Sequence, residues 1–144
     1  MDAVDANILV YAHRADSPWH EQADRFVQEL AEGATPWAIP WPCLFEFFAI
    51  VTHPKIYRPP TPPADALIQI DRWLESPTLV LLSEGDRFWD AVRPVVARSN
   101  VRGGAIHDAR VAALCLRHGV KVLNSADRDF SRFPELRTRN PLLA

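Results

Sequence analysis

Five carboxylates of this chain, Asp5, Glu46, Asp108, Asp127 and Asp129, stand where an acid is either costly or useful. Three of them fall within residues 103–130, GGAIHDARVAALCLRHGVKVLNSADRDF, where the apolar spacing predicts a helix over residues 105–116, a stop at Gly119 and a short buried strand over residues 120–123. Asp108 lies in the first turn of that helix on a stripe shared with Ala112 and Cys115, while His107, Arg110 and Arg117 gather on a neighbouring, wetter face. Asp127 and Asp129 follow the strand, at the place where an α/β sheet presents its ligands. Oxygen donors gathered this way suit Mg²⁺ or Mn²⁺, and no Cys/His spacing suggests zinc. Each acid also has an ordinary explanation. Asp108 favours the helix macrodipole, Asp127 and Asp129 suit turn chemistry, and Asp5 or Asn7 suits an N-cap.

The elements that must position these acids alternate between strand and helix. An opening strand through Ala3 and Val4 ends at Asp5 and turns into a helix over residues 8–12. Ser17 and Pro18 read as the N-cap and first position of an amphipathic helix that Gly33 stops, and Trp37–Pro40 as a second strand. Residues 41–51, WPCLFEFFAIV, form an apolar run whose only ionisable group besides Cys43 is Glu46. A carboxylate left unpaired among Leu44, Phe45, Phe47 and Phe48 is costly to bury, so Glu46 is read as hydrogen-bonded to an arginine, set at a helix interface, or bound to a metal. The proline-dense residues 57–63 are extended and read as a loop between helices. Residues 64–74 return to helical spacing, and residues 78–82 suit a buried parallel strand. Residues 83–86, SEGD, resemble a capping box opening a helix through Trp89 and Val92, which Pro94 should kink or shorten. A single turn over residues 133–136 and a last strand within residues 136–141 complete the chain. Such alternation predicts an α/β fold, a short parallel sheet with helices on both faces.

The length of 144 residues and 48% hydrophobic composition suit one domain over residues 1–144. Cys43 and Cys115 lie in apolar helical stretches, so buried free thiols are expected, in keeping with a reducing cytoplasm. The start of the sequence enters a strand at once, without the basic region and long apolar run of a signal peptide or membrane span. A formal net charge of −2 does not announce nucleic-acid binding, but all the basic residues except Lys55 and Lys121 are arginine, which suits phosphate and carboxylate partners.

Taken together, Asp5 after the first strand and Asp127 after the fourth share one edge of the sheet, and Glu46 and Asp108 sit on helices that lean over it. The segments VDANILVYA with Asp5, LFEFFAIVTHP with Glu46, and GAIHDARVAALCLRHGVKVLNSADRDFSRFP with Asp108 and Asp127 resemble the PIN-domain nucleases, and specifically the VapC toxins of bacterial toxin–antitoxin pairs. The resemblance spans essentially the whole chain. It implies a three-layer α/β/α sandwich and a divalent-metal-dependent endoribonuclease in which four acids hold one or two ions that activate water. On that reading Asp5 and Asp108 hold the primary ion, Asp127 and Glu46 hold a second ion or orient the water, and Asp129 is an alternative to Asp127. Members of the family commonly have Thr or Ser near the first acid and before the last ones; Ala6 and Ser125 occupy those places here. Arg110, Arg128 and Arg132, near the acids in sequence, are read as contacts to the RNA backbone or as solvated side chains. The resemblance further implies an RNA substrate, a homodimer and a small VapB-like antitoxin, with no membrane.

Rival classes fit less well. A phosphoacceptor regulatory domain wants an Asp ending a mid-chain strand and a Lys after a late one, whereas Glu46 is inside a helical run and Lys121 begins its strand. A phosphatase built on Asp2 and Asp5 needs a full strand before its nucleophile. A flap-type DNA nuclease on a related core carries extra segments, and a non-enzymatic domain whose acids dock an antitoxin arginine would not respond to metal.

Overall fold

The strand β1 (Asp2–Val4), apolar after its first residue, takes the centre of a parallel five-stranded sheet. In the computed structural model, which describes residues 1–143, the order is β3-β2-β1-β4-β5, the others being β2 (Trp37–Pro40), β3 (Leu79–Leu82), β4 (Val122–Asn124) and β5 (Thr138–Arg139). The register sets Asp2 between Trp37 and Val122, and Val4 beside Asn124. From β1 the chain winds outward through β2 to β3, then returns to lay β4 on the other side of β1. Right-handed crossovers therefore put α1 (Ala6–His13), α2 (His20–Glu32), α3 (Trp41–Val51) and α4 (Pro63–Leu74) on one face, and α5 (Phe88–Ser99) and α6 (Ile106–Arg117) on the other. Packing agrees, for α1 touches α2 and α3, α3 touches α4, and α5 touches α6. This is the expected three-layer α/β/α sandwich.

The winding reverses at the seam between β1 and β4, the switch point at which α/β sheets form a crevice outside the carboxyl ends of their strands. The core beneath it holds both faces to the sheet. Trp37, Phe47, Phe130 and Phe133 are fully buried, each worth about 1.5–3 kcal/mol of transfer free energy. Phe47 meets Trp73 of α4 edge to face at 4.8 Å and His13 of α1 at 5.4 Å, so α3 is pinned by aromatic contacts on two sides.

Four local expectations are corrected. The helix expected from Pro18 begins at His20, because Ser17 Oγ accepts from the Trp19 amide 3.1 Å away and spends itself on a turn before the helix. β3 is an edge strand with Val80 exposed, so its apolar run is only partly buried. No capping box forms at residues 83–86, since Gly85 and Arg87 both take left-handed backbone (φ 67° and 62°) and α5 starts at Phe88. Pro94 lies inside α5, which continues to Ser99 despite the amide that Pro94 cannot donate.

Candidate active site

Asp5 is placed by β1 and immediately caps α1, its Oδ1 accepting from the Ala6 amide at 2.8 Å. The side chain is only 5% exposed, and the loop after β4 closes over it. Ser125 Oγ donates to Asp5 Oδ2 at 2.7 Å, and Cys43 of α3 brings its thiol 3.5 Å from Oδ1. Asn7 bridges the same loops: its Nδ2 lies 3.4 Å from Asp5 Oδ2 and 3.2 Å from Ser125 Oγ, while its Oδ1 accepts from the Ala126 amide. Burial raises the Asp5 pKa and the charge of Asp127 adds to it, opposed by the hydrogen bonds from Ser125, Ala6 and Cys43. These hydrogen bonds fix the Asp5 carboxyl in one orientation at the floor of the crevice.

Above that floor, oxygens of Asp108, Asp127 and Asp129 lie within 4.8 Å of one another. Asp108 arrives from the first turn of α6, after a 3-10 turn at Gly103–Ala105 whose Gly103 takes φ 56°. Asp127 and Asp129 arrive from the loop after β4, shaped when the Asp127 amide donates to Ser125 Oγ at 3.0 Å and Asp127 Oδ1 accepts from the Asp129 amide at 2.8 Å. Ser125 thus serves Asp5 and Asp127 at once. The Asp108 pKa is pushed up to about 6, by burial first and then by the charges of Asp127, Asp5 and Asp129, with Arg132 opposing. A carboxyl held protonated by its acidic neighbours lacks positive charge nearby, and the oxygens gathered here are of the kind that could hold a divalent cation.

Glu46 corrects the sequence reading. It sits on the solvent side of α3 beside Phe45, which is 70% exposed, whereas Phe47 on the other side is buried. Among the described residues no arginine pairs with it, so the expected cost of a buried acid does not arise. Its pKa is nevertheless raised, by partial desolvation and then by Asp5, Asp108 and Asp127, which places it electrostatically with the cluster from across the crevice. Glu46 and Asp108 line one cavity between α3 and α6. The arginines divide. Arg110 forms an ion pair with Glu84, Arg132 stands 3.9 Å from Asp129, and Arg128 is exposed. Sequence reasoning missed Cys43 and Asn7 as partners of Asp5. Asn7, two residues after the acid, carried a local signal that N-cap chemistry explained equally well; Cys43 carried none, because its meeting with Asp5 is purely tertiary.

The sequence profile of the PIN domain matches residues 3–136. Ribonuclease VapC43 of Mycobacterium tuberculosis is 39% identical over 142 residues, covering 99% of this chain and 96% of that protein. Among solved structures, VapBC2 from Rickettsia felis, bound to a DNA fragment from its promoter, is similar with a TM-score of 0.66 at 18% identity over 96% of this chain and 97% of that one. Mycobacterium tuberculosis VapC20, a toxin cleaving the sarcin–ricin loop, gives a TM-score of 0.66 at 17% identity over 91% and 93%. A profile match of this extent, a relative this similar along nearly its whole length and a switch-point crevice lined with acids lead to one assignment: the chain belongs to the PIN domain family, among its VapC members.

Proposed function

We propose that this chain is a divalent-metal-dependent endoribonuclease and the toxin of a VapBC-type pair. The observation that carries the reading is the convergence of Asp108, Asp127 and Asp129 within 4.8 Å at the sheet's switch point. These all-oxygen donors fit Mg²⁺ or Mn²⁺. A bound ion of that kind supplies a Lewis acid for the phosphodiester and a water of lowered pKa. Asp108 and Asp127 hold it, with Asp129 beside them. Asp5 contributes its charge from below and, through Ser125, fixes the loop that carries Asp127. Glu46, its pKa raised by partial desolvation and by the neighbouring acids, orients the attacking water and takes its proton on this reading. Arg128 and Arg132 flank the acids and meet the RNA backbone.

Support for a VapB-like antitoxin comes from the VapBC2 complex, and support for a homodimer from exposed apolar side chains such as Phe45, Leu67 and Trp89. No helix of the described residues is long and apolar enough to cross a membrane, and two buried free thiols suit the cytoplasm. The test is to release the chain from its co-expressed antitoxin, incubate it with RNA and Mn²⁺, and sequence the new RNA ends. Wild type should produce discrete ends and Asp108→Asn should produce none. Equal cleavage by both would place the chemistry elsewhere.

A further inference from the structure

Beside the acid cluster, α3 and the start of α6 enclose a cavity of about 320 Å³ that shares Glu46 and Asp108 with the cluster. We propose that this cavity seats one unpaired guanine base of the RNA next to the scissile phosphate and that Arg110 reads it, an inference that rests on the ribonuclease reading above. Whatever fills the cavity is continuous with the crevice, because two of the crevice acids are among its walls. Its volume is at the small end of ligand sites and suits a single base.

The wall chemistry selects a base over a phosphate. Glu46 and Asp108 are acidic, and Glu84 neutralises Arg110, so no spare cation is present there to hold an anion. Pro42 and Val111 supply apolar surface for a ring face, and the His107 imidazole supplies a stacking edge, the contacts by which unpaired RNA bases are held. Gly104 leaves the mouth open. A Cβ built on it meets nothing within 4 Å.

Guanine follows from the donors. Glu84 engages Nε of Arg110, and among the described residues the two terminal nitrogens of that guanidinium have no partner. A fork of two donors matches the O6 and N7 acceptors of guanine, while adenine presents an amino donor at the same edge. Glu84, reaching from the loop after β3, is the positioning residue that keeps the fork in place.

The test uses labelled pentauridine RNAs carrying G, A, C or U at the centre, with anisotropy measured on the intact chain in Ca²⁺ in place of Mn²⁺. Wild type should bind the G-containing RNA on the order of tenfold or more tightly than the others, as a bidentate contact discriminates. Arg110→Met, a change at a partly exposed position, should level the four affinities, and Gly104→Val, built into open space, should weaken the G-containing RNA most. Equal binding of all four RNAs by wild type, no binding at all, or a guanine preference that survives Arg110→Met would overturn the proposal. Cleavage with Mn²⁺ is read separately: cleavage without base preference removes the subsite alone, and guanine-selective binding without cleavage removes the nuclease reading alone.

Discussion

Ser125 Oγ donates to Asp5 Oδ2 over 2.7 Å, joining residues 120 positions apart across the seam between β1 and β4. The same oxygen accepts from the Asp127 amide, so one hydroxyl sets both the floor acid and the loop acid. Ser125→Ala should destabilise the protein by about 1–3 kcal/mol, the cost of leaving a buried acceptor short of a donor. It should also lower Mn²⁺ affinity, because the Asp127 loop loses its anchor. Urea titrations with and without Mn²⁺ measure both, and an unchanged metal response would show that the loop holds its shape without Ser125.

Glu46→Gln separates a rim acid from a structural one. With no arginine left stranded, stability should stay within about 0.5 kcal/mol of wild type, as at ordinary surface positions. Cleavage should fall on the order of a hundredfold, the typical worth of a positioned proton acceptor. A thermal melt showing a large loss of stability would return Glu46 to a structural role.

The Asp108 pKa of about 6 fixes a sign for pH dependence. In the unfolded chain this acid titrates near its ordinary 3.8, so between those values the folded protein binds the extra proton. Metal-free stability should therefore rise as pH falls through 6 toward 4, the reverse of ordinary acid denaturation. Mn²⁺ competes with that proton, so its stabilising shift should be larger at about pH 7.5 than at about pH 5. Melting curves across this range, with Asp108→Asn as the variant that flattens the rise, test the assignment. A metal-free protein that only loses stability below pH 6 would contradict it.

Cys43 offers a control on how closely Asp5 must be held. Burial keeps the thiol pKa well above its ordinary value, and the protonated sulfur stands 3.5 Å from Asp5 Oδ1. Cys43→Ser preserves a donor and should keep kcat near wild type. Cys43→Ala removes it and should lower kcat with KM little changed. Equal kcat in both variants would mean that Ser125 and the Ala6 amide hold Asp5 unaided.

Period and punctuation carried most of the architecture, because β1, β2 and α6 are segments whose local preference and tertiary place agree. The acids at strand ends were legible for the same reason, since Asp5 and Asp127 each stand where an apolar run stops. The exposure of Glu46 was hidden because a run such as WPCLFEFFAIV looks buried all round, and only packing decides that Phe47 turns inward while Phe45 and Glu46 turn out. The start of α5 was hidden by left-handed backbone at Arg87, a conformation that side-chain patterns do not announce. Asp129's place beside Asp108 and Asp127, rather than instead of Asp127, depends on the Asx turn between the two loop acids and on nothing periodic.

β1 sits at the middle of the sheet although it is made first, and its neighbour β4 is made more than a hundred residues later. Until β4 pairs with it, Asp5 lacks Ser125, and Asp108 lacks Asp127 and Asp129. A chain still emerging from the ribosome therefore has no assembled centre, however well its first helices have formed. Long-range closure of this kind is slow relative to local helix formation, so the crevice assembles late. Under the toxin reading proposed above, that order of assembly leaves an interval in which an antitoxin can already be waiting.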